Sequence, residues 1–72
     1  MGVTDDIADD LAKQALQIEA DTGDEKVVDK VSEILGASSQ TTQEAYLTSV
    51  RVRRAELRAR TYLAELREKS DS

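Results

Sequence analysis

Five arginines stand within ten residues, Arg51, Arg53, Arg54, Arg58 and Arg60, in a chain whose formal charge is −5. A guanidinium is a planar fork of N–H donors, so a cluster of them is suited to two jobs, holding carboxylates or holding phosphates. The carboxylates are on the same chain. Residues 1–36 carry ten acidic side chains against Lys13, Lys26 and Lys30, a net −7, while residues 37–72 carry seven basic and five acidic ones, a net +2. This segregation predicts either ion pairing between two parts of one small fold or a basic face offered to a partner.

Other reactive chemistry is sparse. The chain has no histidine and no cysteine, which removes the commonest general base, the commonest zinc ligands, disulfides and thiol nucleophiles. Asp5/Asp9 and Asp6/Asp10 are carboxylate pairs at helical spacing. Two carboxylates fall far short of the oxygens a calcium ion needs, and compensation of a helix dipole already accounts for acidic residues at a helix start. Neither a glycine-rich phosphate loop nor a nucleophile–base pair can be composed from these residues. The expectation is a non-enzymatic protein with no cofactor and no metal. A net −5 argues against broad attraction to nucleic acid or anionic lipid, and no apolar run is long enough for a membrane span or signal core, so a cytoplasmic location is expected.

The elements that must position the arginines are helices. Proline is absent, and the three glycines, Gly2, Gly23 and Gly36, stand at the start and at two breaks. Ile7, Leu11, Ala15 and Ile18 fall on one helical face, with Thr4 or Asp5 as the N-cap. Gly23 suits the left-handed position after this helix, and Thr22 with Glu25 has capping-box spacing for the next. Val27, Val28, Val31, Ile34 and Leu35 form the stripe of a second helix that Gly36 ends, and Thr41 with Glu44 is a further capping-box pair. The third segment has no glycine or proline and extends about 42 Å if helical to Lys69; Lys69–Ser72 are expected to fray. The predicted fold is all-α and three-helix bundle-like: one domain, residues 1–72, with two short helices (5–20 and 24–35) and one long C-terminal helix (41–69).

The long helix has two apolar stripes. Ala45, Val52, Ala55, Ala59, Tyr62 and Leu66 follow a near-heptad rhythm, and Tyr46, Val50, Leu57 and Ala64 lie on the opposite side. A helix apolar on two opposed faces needs two neighbours; one is the first two helices of its own chain, and the other is most economically a second copy. Arg53, Arg60 and Arg67, spaced by seven, line one edge, and Arg51, Arg54 and Arg58 line another. The predicted protein interface is Val52, Ala55, Ala59, Tyr62 and Leu66, with Arg53, Arg60 and Arg67 setting partner choice.

Residues 31–46 resemble a helix-turn-helix: Ser32, Leu35, Gly36 and Ser38 match its small residue, hydrophobic–glycine pair and following serine. The resemblance implies DNA contacts within residues 31–54, with Gln40, Thr41 and Gln43 reading bases and Arg51, Arg53 and Arg54 on phosphates. The sequence departs from the pattern at Thr42 and Ala45, where large aliphatics normally lock the second helix, and at Glu44, which would face phosphates. Leu35–Ser39 is similar to the prosthetic-group site of acyl carrier proteins, but the Asp-Ser-Leu signature is replaced by Ser38, Ser39 and Gln40. The leading expectation is a regulatory, adaptor or assembly subunit that binds a protein partner or itself through the long helix; the alternative is a DNA-binding regulator.

Overall fold

The structure is a computed structural model that describes residues 2–71, without the side chain of Asp71. It is all-α, with α1 at Val3–Thr22, α2 at Lys26–Ser38 and α3 at Gln40–Asp71. All three helices run longer than their apolar patterns require. Lys69 to Asp71, expected to fray, continue α3, while Ser72 lies outside the described residues.

The helix starts differ from the predicted caps. α1 begins after Gly2, whose extended backbone precedes the first turn, so Thr4 and Asp5 lie inside the helix; Asp5 and Asp6 then face the positive end of the dipole. Gly23 takes the left-handed conformation (φ 75°) and its N–H bonds to Glu19 O, as its position predicts. Thr22 serves the end of α1, donating to Ile18 O, rather than the start of α2. Asp24 holds α2 instead, its Oδ1 accepting from the N–H of Lys26 at 2.9 Å. The break between α2 and α3 is a single extended residue, Ser39, whose Oγ accepts from the N–H of Thr42. Ser39, not Thr41, is therefore the N-cap of α3.

Gly36 does not end α2, which continues two residues further to Ser38. What glycine supplies there is room. A Cβ at Gly36 would stand 2.8 Å from Cδ of Gln43, whose carboxamide crosses from α3 to donate to Ser32 O at 3.0 Å. A Gln43–Ser32 bridge thus holds α2 and α3 together beside the turn.

The core consists of Ala8, Ala12 and Ala15 from α1, Val28 from α2, and Tyr46 and Val50 from α3. Tyr46 is the largest side chain fully out of solvent, and its hydroxyl donates to Val28 O at 2.8 Å. Three alanines opposite one large ring explain why α1 is not oriented as its strongest apolar stripe predicts. Helix spacing follows the size of the contact residues, and alanines let α1 come close enough to enclose the tyrosine. Ile7 and Ile18, expected in the core, are left about half exposed, and Ile34 of α2 is also exposed. Among the described residues no leucine or isoleucine is fully buried, although Leu11, Leu16, Leu35 and Leu47 pack against the core.

Candidate functional site

The arginine cluster divides into three groups according to where α3 carries it. Arg53 and Arg54 lie where α3 still touches α1. Arg53 donates from Nε and Nη2 to both oxygens of Asp9, at 2.9 and 2.7 Å, a two-pronged pair. Arg54 reaches Glu19 at 3.2 Å. Asp9 and Glu19 are ten residues apart, about 15 Å along a helix, so two adjacent arginines straddle α1. The hydrogen bond from Arg53 holds the Asp9 carboxyl below its ordinary pKa, and that same bond raises the guanidinium of Arg53. Part of the segregated charge is therefore spent inside the fold.

Arg60 pairs only locally, with Glu56 one turn earlier at 2.9 Å. Such an exposed pair on one helix contributes about 0.3–0.5 kcal/mol. Arg51, Arg58 and Arg67 form the third group: all three are exposed, with no ion pair to another described side chain.

Of the predicted interface, Val52, Ala55, Ala59, Tyr62 and Leu66 are all exposed, and so is Leu63. Their exposure is a consequence of register. Tyr46 and Val50 face α1 and α2, and at 100° per residue Val52, Ala55, Ala59, Tyr62, Leu63 and Leu66 then lie on the opposite side of α3. Length adds to this, since every residue from Ala55 to Ser70 is exposed. α3 accounts for the 52 Å long dimension of the molecule, and its last four turns project past the other two helices. Tyr62 is 60% exposed, whereas Tyr46 is fully buried. Of the arginines expected to set partner choice, Arg53 is engaged with Asp9, Arg60 with Glu56, and Arg67 lies on the projecting half.

Sequence reasoning did not find a groove of about 390 Å³ between the end of α1 and the start of the projecting half of α3. Leu16 and Ala20 form its α1 wall, Leu57 its α3 wall, and Lys13, Arg53 and Arg60 surround it. Leu57 lies on the inner stripe with Tyr46 and Val50, but the stretch of α1 from Lys13 to Ala20 that passes beside it leaves it exposed. The stripe was legible in the spacing; the path of α1 across it was not.

The residues of the helix-turn-helix resemblance also separate. Gln40, Thr41 and Arg51 are exposed. Gln43 is bound to Ser32, Arg53 to Asp9 and Arg54 to Glu19. Glu44 shares a shallow surface depression with Gln40 and Thr41, placing a carboxylate among the expected base readers. Ser38 is exposed, and Ser39 is committed to its cap.

The carboxylate pairs at the start of α1 are likewise in use: Asp9 holds Arg53, and Asp10 accepts from Nε2 of Gln14 at 2.8 Å. Among the described residues there is no cluster of three potential metal ligands, and no helix is long and apolar enough to cross a membrane. The pKa of the Tyr46 hydroxyl is raised, chiefly by burial and secondarily by the charge of Asp29. No known protein family, curated protein or solved structure matches the chain.

Proposed function

We propose that this chain is a non-enzymatic protein–protein interaction subunit of the regulatory, adaptor or assembly kind, working through the outer face of the projecting half of α3. One observation carries the reading: from Ala55 to Ser70 every residue is exposed, although Tyr62, Leu63 and Leu66 lie there. Burying a large apolar side chain contributes about 1.5–3 kcal/mol, comparable with a sizeable part of the stability of a domain this small. A core made of three alanines, two valines and a tyrosine also leaves the chain short of burial, and small scaffolds commonly make up that deficit by association. The internal engagement of Gln43, Arg53 and Arg54 takes away half of the contacts that DNA recognition through residues 31–54 would use.

The test is isolation of the untagged chain from its own cell, with particle mass and nucleic-acid content measured together, beside a Tyr62→Ser/Leu66→Ser variant. The reading expects a nucleic-acid-free particle heavier than one chain, reduced to a single chain in the variant. A single-chain mass for the unmodified protein overturns it. So does a particle that carries nucleic acid and loses it on Arg51→Ala.

A further inference from the structure

We infer that the occupant of the outer face of α3 is a second copy of this chain, running antiparallel, with Arg58 of each copy facing Glu65 of the other. The inference rests on the interaction reading above and names its partner.

The size pattern of the face favours an antiparallel pair. Ala55, Ala59, Tyr62 and Leu66 recur at four, three and four residues, so they follow one another along a single seam in the order small, small, large, large. Two such helices packed parallel and in register would place Ala55 on Ala55, Ala59 on Ala59, Tyr62 on Tyr62 and Leu66 on Leu66. Contact between alanines needs a short interaxial distance and contact between tyrosines a long one, and one pair of straight helices cannot satisfy both within two turns. Reversing one helix removes the conflict. With Ala59 opposite Tyr62, Ala55 falls opposite Leu66, and the same two layers recur on the other side of the dyad. Every layer then holds one small and one large side chain. The exposures of Tyr62 and Leu66, 60% and 45%, leave both side chains available for such a layer.

Charge leads to the same register independently. In antiparallel coiled coils the residues that flank the seam on one edge meet the same edge of the partner. Here that edge is formed by Arg51, Arg58 and Glu65. The register chosen on size alone sets Arg58 against Glu65 of the other copy, twice by symmetry. Both side chains are exposed, and neither pairs with any other described side chain in its own chain. They are seven residues apart on one helix, about 10.5 Å, too far to satisfy each other. The other edge presents Glu56, already holding Arg60, and the apolar Leu63. The buried side of α3 faces away from this seam, so the α1–α2 body of each copy lies outside the pair.

The experiment uses sedimentation of the full chain at high micromolar concentration, with circular dichroism confirming that each variant remains helical. The unmodified chain should be a dimer. Arg58→Glu alone sets carboxylate against carboxylate at both contacts, and Glu65→Arg alone sets guanidinium against guanidinium, so each should dimerise about tenfold more weakly than the parent. An equimolar mixture of the two single variants gives a heterodimer in which carboxylate faces guanidinium at both contacts, so mixing should restore dimerisation, and a mixture no stronger than either variant alone overturns the register. The double variant Arg58→Glu/Glu65→Arg should recover as well, because it reverses the charges and restores opposite signs at both contacts; its dimer should have affinity within about threefold of the parent. A fully helical monomer of the unmodified chain at that concentration overturns the second copy as occupant while leaving the interaction reading to its own test. A dimer whose single variants are unimpaired, or whose double variant is no stronger than either single one, overturns the antiparallel register.

Discussion

The two halves of α3 each set a tyrosine and three arginines beside apolar residues, in opposite circumstances. From Gln40 to Arg54 the helix is fastened to the rest of the chain by Gln43 on Ser32, Tyr46 on Val28, Arg53 on Asp9 and Arg54 on Glu19. From Ala55 to Glu68 the side-chain bonds of α3 stay within the helix, Arg60 on Glu56 and Thr61 on Leu57. The far half is the richer in strong helix formers, Ala, Leu, Glu and Arg, so propensity does not explain why it is the half left uncovered. The difference comes from placement: α1, at 20 residues, is longer than the 15-residue near half, but its Asp9 and Glu19, ten residues apart, meet the adjacent Arg53 and Arg54, so α1 crosses α3 instead of running along it. The same residue types therefore stabilise a fold in one half and present a surface in the other.

The two tyrosines give the sharpest way to break that comparison. Tyr46→Ala removes the largest buried side chain together with its bond to Val28 O. Cavities of this kind cost about 3–5 kcal/mol, against a total stability of about 5 kcal/mol for a domain of this size. The variant should be largely unfolded at 25 °C, with its helical circular dichroism lost. Tyr62→Ala should leave the near half folded and lower the thermal midpoint mainly through lost association, removing the dependence on protein concentration that the associating parent shows. Equal loss of helicity in the two variants would show that the halves are one cooperative unit.

The contrast between the halves also explains which features were legible in the sequence. The two stripes of α3 could be read from spacing, because a helix of regular pitch carries its periodicity wherever it goes. Gly23 could be read as well, since a left-handed residue after a helix is a local demand. The face of α1 could not. Hydrophobicity selects Ile7 and Ile18, but the partner is a tyrosine ring, and what fits against it is Ala8, Ala12 and Ala15. That choice depends on volume across the interface, which no single helix encodes. Gly36 was misread for a related reason: its lack of a side chain makes room for Gln43, seven residues further on, and a sequence-local rule takes the same glycine for a helix end. The groove beside Leu57 was out of reach because it depends on the path that Lys13 to Ala20 of α1 take across α3.

Acid and alkali should act on the near half from opposite ends of the pH scale. The Asp9 carboxyl is held below its usual value by Arg53, so its contribution is complete at neutral pH and is lost as pH falls from about 4 through the lower folded-state value. The Tyr46 hydroxyl is raised by burial, so its protonated form is stabilising below about pH 10 and is lost as pH rises through the higher folded-state value. Thermal midpoints of the unmodified chain should therefore fall at both extremes. Asp9→Asn should flatten the acid limb and Tyr46→Phe the alkaline one, with Tyr46→Phe costing about 1 kcal/mol at neutral pH for the lost hydrogen bond. An unchanged acid limb in Asp9→Asn would mean that the two-pronged pair does not hold α1 to α3 in solution.

The smallest expected effect lies at the junction where the near half of α3 begins. Gly36 sits inside α2, where alanine is favoured over glycine by about 1 kcal/mol through backbone entropy. Its added Cβ would meet the Gln43 carboxamide and displace it from Ser32, losing a partly buried bond of similar worth, about 1 kcal/mol. The two effects oppose each other, so Gly36→Ala should change stability by less than about 0.5 kcal/mol. In a Gln43→Ala background the obstruction and the bond are both gone, and only the helix preference remains. The same Gly36→Ala substitution should then stabilise by about 0.5–1 kcal/mol, read from urea unfolding of the four proteins in the cycle. A matched gain in both backgrounds would show that the Gln43 bridge contributes nothing, and the fastening of the near half would then rest on Tyr46 and the two arginine pairs.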